Sequence, residues 1–118
     1  TGTPLGDPVE VRALKTAFEE AGRGSSSHGR IACGIGTVKT NIGHAELAAG
    51  VAGVIKVLLQ LRHGTLARSL HFDAINPHIQ LDGSLFYFVD ERRSWVTGTD
   101  ERGNPLPRIA GVSSFGFG

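Results

Sequence analysis

Cysteine is almost missing from this 118-residue sequence. Cys33 stands alone, so no disulfide can close within the chain and no pair of thiols is available to a metal. Nothing in that usage requires an oxidising compartment, and a cytoplasmic setting is the simplest expectation. Long apolar runs are absent as well. The longest, Ala48 to Leu59, is interrupted by Lys56 and falls short of the roughly 20 residues that cross a bilayer. No positively charged leader precedes an apolar stretch, so neither a membrane span nor a targeting segment is expected. Neither sign of charge dominates: 12 basic and 11 acidic side chains are interspersed to a formal net charge of +1, which makes nucleic acid a poor default partner.

Two common site types fail on their spacing. Gly34 to Thr40, GIGTVKT, lacks both the glycine directly before lysine of a triphosphate loop and the third glycine of a dinucleotide fingerprint. His28, Cys33, His44, Glu46, His63, His71 and His78 are scattered without a His-x-x-x-His or Cys-x-x-Cys pair, so no metal site is expected. Cys33 has no acid and histidine relay at a recognisable spacing and reads as a buried, inert thiol rather than a nucleophile.

Glycine, by contrast, is abundant. Seventeen residues exceed twice the average usage of about 7%, and they fall at element boundaries and in short clusters, which suggests tight turns and close backbone packing. The length suits one small domain with a modest core. A first helix is expected from Asp7-Pro8 to Gly22, with Asp7 and Glu10 as a capping box. Its inward face would carry Val9, Ala13, Leu14, Ala17, Phe18 and Ala21, with Lys15 and Glu19 paired on the wet side. Residues 22–30, GRGSSSHGR, have no apolar anchor and read as a mobile surface loop.

Ile31 to Val38 reads as a short buried strand that ends at KTNIGH, residues 39–44. A long central helix follows from Ala45 to about Arg62, apolar around most of its circumference. Its Ala48, Ala49, Gly50, Ala52 and Gly53 would admit another backbone at close range. Ser84 to Val89 reads as a strand, Asp100 to Pro107 as an exposed turn, and Ile109 to Ser114 as a last strand before Phe115-Gly116-Phe117-Gly118. The result is an α/β order whose elements look suited to packing against something further.

Lys39 and His44 bracket Thr40-Asn41-Ile42-Gly43 where a strand meets a helix start. An ammonium and an imidazole held there can donate to a developing anionic oxygen, with helix amides adding positive partial charge. A neutral His44 does this only if its tautomer is fixed. Bland alternatives stand beside each role: His44 as a satisfied polar group, Lys39 as a surface charge, Asn41 as a turn former. Phe115 and Phe117 can close a core, or gate a pocket while a nearby amide completes an anion hole.

TGTPLGDPVE at 1–10, VKTNIGHAELAAGVAGVIK at 38–56, NPHI at 76–79 and GVSSFGFG at 111–118, in that order, resemble the carboxyl-terminal segment of a β-ketoacyl synthase. The likeness is greatest to the ketosynthase domains of modular polyketide synthases. It implies an α/β chain forming the carboxyl-terminal half of a thiolase-like layered αβαβα fold, truncated at both ends, with residues 1–118 as part of that domain. The implied chemistry is a decarboxylative Claisen condensation between an acyl group on an enzyme cysteine and a malonyl-type thioester. The substrates ride on the phosphopantetheine of an acyl carrier protein, with no cofactor bound directly.

By the same resemblance, His44 is the family's second catalytic histidine and Lys39 the lysine that organises its surroundings, with Asn41 in support. Thr1 and Thr3 are expected to line the acyl or pantetheine route, and Phe115, Gly116 and Phe117 match a gating loop that offers an oxyanion-hole amide. The nucleophilic cysteine and first histidine are expected before Thr1, in an upstream half of the domain. The chain alone is then expected to be an inactive part of an acyltransferase that works as a homodimer. The alternative is a non-condensing segment with a structural, gating or carrier-docking role.

Overall fold

The computed structural model describes residues 2–21 and 32–115 and divides into two compact units, Thr1–Ile35 with Phe72–Tyr87, and Gly36–His71 with Phe88–Gly118. In chain order the elements are α1 (Gly6–Glu20), β1 (Cys33–Ile35), α2 (Lys39–Ile42), a 3-10 turn (Glu46–Ala48), α3 (Ala49–His63), β2 (Thr65–Leu66), β3 (Phe86–Phe88) and β4 (Arg93–Ser94). The expected loop at 22–30 lies outside the described residues.

In the first unit, α1 is rich in alanine, leucine, glutamate, lysine and arginine, which lose little freedom on entering a helix, and Pro8 sits in its first turn where no donor is needed. The capping box does not form as expected. Leu5 is the cap residue, and the Asp7 carboxylate turns backward to accept from the amides of Gly2 at 2.7 Å and Thr3 at 3.3 Å. The hydroxyl of Thr3 in turn accepts from Gly6 N at 2.9 Å, so the chain entering the helix supplies the partners.

The inward face also differs from the expected one. Val9 and Leu14 are exposed, whereas Val11 is buried and Phe18 meets Phe86 edge to face at 5.1 Å. Val11, Lys15 and Phe18 share a stripe at i, i+4 and i+7, so Lys15 leaves the wet side. Its Nζ donates to Gln80 O at 2.8 Å. The edge-to-face aromatic contact selects this stripe, and a helical period that only counts apolar residues does not register it. Beside it, β1 pairs with β3, and Cys33 N donates to Leu85 O at 2.8 Å. Asn76 closes the unit through Nδ2 to Pro4 O at 3.0 Å.

The second unit is organised by α3. This helix ends at Gly64, whose φ of 59° and ψ of 32° give the left-handed cap that glycine adopts without a Cβ clash. The turn leads into β2, which pairs antiparallel with β4, Thr65 opposite Ser94 and Leu66 opposite Arg93. Neither strand was expected, because two residues are too few for an alternating pattern. The corner is fastened by Trp95 N to Gly64 O at 2.8 Å, Ala67 N to Gln60 Oε1 at 2.7 Å and Arg108 Nε to Trp95 O at 3.0 Å. The expected turn at 100–107 is present: Asp100 Oδ1 accepts from the amides of Arg102 and Asn104.

Two expectations for this unit are overturned. Residues 109–114 form no strand; they run irregularly along α3 and find no ladder partner there. A Cβ on Gly53 would lie 3.0 Å from Val112 Cγ1, and one on Gly50 3.7 Å from Ser114 Cβ, so the helix glycines do admit a close neighbour. Nor is α3 buried all round. Ala49 is buried, but Val51, Val54, Ile55, Leu58 and Leu59 are exposed, and a groove lined by several of them runs beside Val112. The apolar periodicity marks a surface suited to burial, while the described residues pack mainly against its small-residue side.

Substituting Gly64→Ala places a Cβ in a left-handed conformation and 3.1 Å from the Arg108 guanidinium. We expect a loss of about 1–2 kcal/mol in urea denaturation, with Gly64→Asn losing less. Unchanged stability of the alanine variant would contradict the assigned cap.

Candidate functional site

The KTNIGH segment does not simply end a strand. Residues 39–42 form the single turn α2, in which Asn41 N and Ile42 N donate to Val38 O at 2.9 and 3.3 Å and Gly43 N donates to Lys39 O at 2.8 Å. A helix of four residues cannot hold itself in water, because nucleation costs more than one turn returns. Its shape comes from outside. The Thr37 hydroxyl accepts from Lys39 N at 3.1 Å, the Thr40 hydroxyl accepts from Leu70 N at 3.1 Å, and Ser69 Oγ accepts from Thr37 N at 3.4 Å. Ser69 is itself buried, with its amide bonded to Val89 O at 2.8 Å. From α3, Lys56 Nζ donates to Thr37 O at 2.6 Å.

Gly43, with φ 74° and ψ −173°, turns the chain out of α2 toward His44. His44 is exposed, and its Nδ1 accepts from Glu46 N at 3.0 Å. A nitrogen that accepts carries no proton, so the neutral ring holds its proton on Nε2 and presents one donor outward. Glu46 has a φ of 45°, a conformation that costs a non-glycine residue roughly 1–3 kcal/mol. The expected field of a long helix at His44 is corrected: α3 begins at Ala49, after the 3-10 turn, and the amide facing the ring is that of Glu46 alone among the described residues.

The half-buried Lys39 opens α2 and its Nζ donates to Phe115 O at 3.4 Å, joining the turn to the aromatic segment. Phe115 is 57% exposed. Asn41 is exposed on α2. Thr3 belongs to the first unit, where its hydroxyl serves the start of α1. Thr1, Gly116 and Phe117 lie outside the described residues. The structure thus brings Lys39, Asn41, His44 and Phe115 onto one unit. Sequence reasoning missed Thr37, Thr40, Glu46, Lys56 and Ser69. The one signal available was Lys56, the charge that breaks an otherwise apolar helix.

Residues 1–73 match the family described as Beta-ketoacyl synthase, C-terminal domain. The chain belongs to this family. Polyketide synthase PksN of Bacillus subtilis (strain 168) is 58% identical over 121 residues that take in the whole of this chain and 2% of that protein. Erythronolide synthase EryA3 of Saccharopolyspora erythraea is 49% identical over 117 residues, 99% of this chain and 3% of its own length. Among solved structures, the oxazolomycin ketosynthase domain OzmH KS7 of Streptomyces albus JA3453 superposes with a TM-score of 0.80 at 44% identity, covering 92% of this chain and 18% of that one. A ketosynthase from module 6 of the bacillaene synthase of Bacillus subtilis 168 gives a TM-score of 0.71 at 45% identity over 82% of this chain and 16% of its own. The ketosynthase segment therefore has a thiolase-like α/β fold, and it spans a small part of the relatives it matches.

Burial raises the Cys33 thiol above its ordinary value, with no described base beside it to oppose the shift. Its iodoacetamide alkylation at pH 8 is expected to run at least about tenfold slower than that of a free thiol, and to reach the free-thiol rate on unfolding. Equal rates in the folded protein would contradict the inert reading.

Proposed function

We propose that this ketosynthase segment contributes His44 and Lys39 to a decarboxylative condensation within a complete β-ketoacyl synthase domain of a polyketide synthase. The observation that carries this reading is the hydrogen bond from Glu46 N to His44 Nδ1, which leaves the Nε2 proton free to donate. In the reaction the bond between the malonyl α-carbon and its carboxylate breaks, carbon dioxide leaves, and the electron pair becomes an enolate. The thioester oxygen that takes the charge accepts from His44 Nε2. The enolate carbon then attacks the acyl thioester carbonyl, a carbon–carbon bond forms, and the enzyme cysteine leaves as thiolate.

Lys39 supports the site as a nearby positive charge that also ties the turn to Phe115. Phe115, with Gly116 and Phe117, gates entry and supplies an oxyanion-hole amide; Asn41 shapes the turn, and Thr1 and Thr3 line the acyl or pantetheine route. The nucleophilic cysteine and the first histidine come from an upstream half of the domain, so the present residues alone do not turn over. The full domain acts as an acyltransferase, takes its substrates from an acyl carrier protein on phosphopantetheine, works as a homodimer and resides in the cytoplasm. Among the described residues no helix is long and apolar enough to cross a membrane.

In a ketosynthase domain that contains this segment, His44→Ala is expected to slow malonyl decarboxylation about 10²–10³-fold while cysteine acylation stays within about twofold of the parent. Equal loss of both steps in a normally folded variant would overturn the role of His44. Parental decarboxylation in the variant would overturn it as well, and absence of decarboxylation in the parent domain would favour a non-condensing segment.

A further inference from the structure

Lys56 is a charged group for which the proposed chemistry has no use. It lies on α3, in the run AGVAGVIKVLLQL, half-buried among aliphatic neighbours in sequence, and burial pushes its ammonium below the ordinary lysine value. A methionine would fill the same space without the cost of desolvating a charge. What the lysine gains there is the Thr37 carbonyl at 2.6 Å, 19 residues away in sequence. On the other side of the same residue, the Thr37 amide donates to the buried Ser69 hydroxyl, 32 residues away. Both backbone polar groups of Thr37 are thus held by side chains from distant elements, and the Thr37 hydroxyl caps α2 at Lys39 N.

We propose that Lys56 is a positioning residue for the condensation, with Ser69 as its counterpart. By gripping the Thr37 peptide it fixes the single-turn helix α2, and so the places of Lys39 and, through Gly43, of His44. This rests on the function proposed above. The short α2 has no stability of its own to resist displacement, and a misplacement of about 1 Å at a reacting group can lower a rate by about 10²-fold.

The test uses a ketosynthase domain containing this segment, with Lys56→Met and Lys56→Arg. In Lys56→Met, hydrogen exchange at the amides of Asn41, Ile42 and Gly43 is expected to accelerate at least about tenfold while the amides in the middle of α3 keep their protection. Malonyl decarboxylation should lose at least about tenfold in kcat with an unchanged KM for the malonyl carrier and unchanged cysteine acylation. Lys56→Arg, which keeps a donor, should recover most of both effects. Unaltered exchange at the α2 amides with parental decarboxylation would overturn the proposal. So would a proportional loss of acylation and decarboxylation with exchange rising throughout α3, the mark of a purely structural lysine. His44→Ala run alongside separates the two levels: faster α2 exchange in Lys56→Met together with parental decarboxylation in His44→Ala overturns the chemistry assigned to the turn and leaves the grip on Thr37 standing.

Discussion

The hydrogen bond from the Glu46 amide to Nδ1 of His44 constrains everything that the site can do, because an imidazole that accepts at one nitrogen donates only at the other. That bond is local, spanning two residues in a stretch whose ends, Gly43 and Glu46, both have positive φ. Gly43 reaches its positive φ without cost, while Glu46 does so against its own side chain. The stretch follows directly on α2, and α2 is one turn long. Its geometry is therefore borrowed from Thr37, Thr40, Ser69 and Lys56, whose bonds reach it from α3 and from the segment after β2.

The same economy governs α3. Glycines at 50 and 53 each sacrifice roughly 1 kcal/mol of helix propensity relative to alanine. The return is the close passage of Val112 and Ser114, which brings the segment ending at Phe115 over the helix, with Phe115 O within reach of Lys39. Small residues on one side of the helix and aliphatic residues on the other thus divide two tasks. The glycine side places the aromatic segment, and the aliphatic side offers apolar surface for burial.

Much of this was legible in the sequence, and the reasons for the misses are physical. The two long helices follow from patterns of ten or more residues, the β3 strand from the apolar run at 84–89, and the Asp100 turn from strong turn formers. KTNIGH stands out because two donors bracket a turn sequence at an element junction, and the family resemblance suggests the roles proposed for them. The inward stripe of α1 was misread because an aromatic contact at Phe18 and a carbonyl partner for Lys15 outweigh apolar count. Residues 109–114 are β-branched enough to suggest a strand, but a strand needs a neighbour to bond, and their neighbour is a helix. The supports of α2 were illegible for a different reason: bonds from Lys56 and Ser69 to Thr37 span distances along the chain that no local pattern records.

The proposed chemistry depends on which nitrogen of His44 carries the proton, and nitrogen-15 NMR of the imidazole in a histidine-labelled ketosynthase domain reads this directly. The expected spectrum of the neutral ring has a protonated Nε2 and an unprotonated Nδ1 that shows the shift of a hydrogen-bond acceptor. A neutral ring with its proton on Nδ1 would contradict the Glu46 contact, and with it the outward donor on which the proposed chemistry depends.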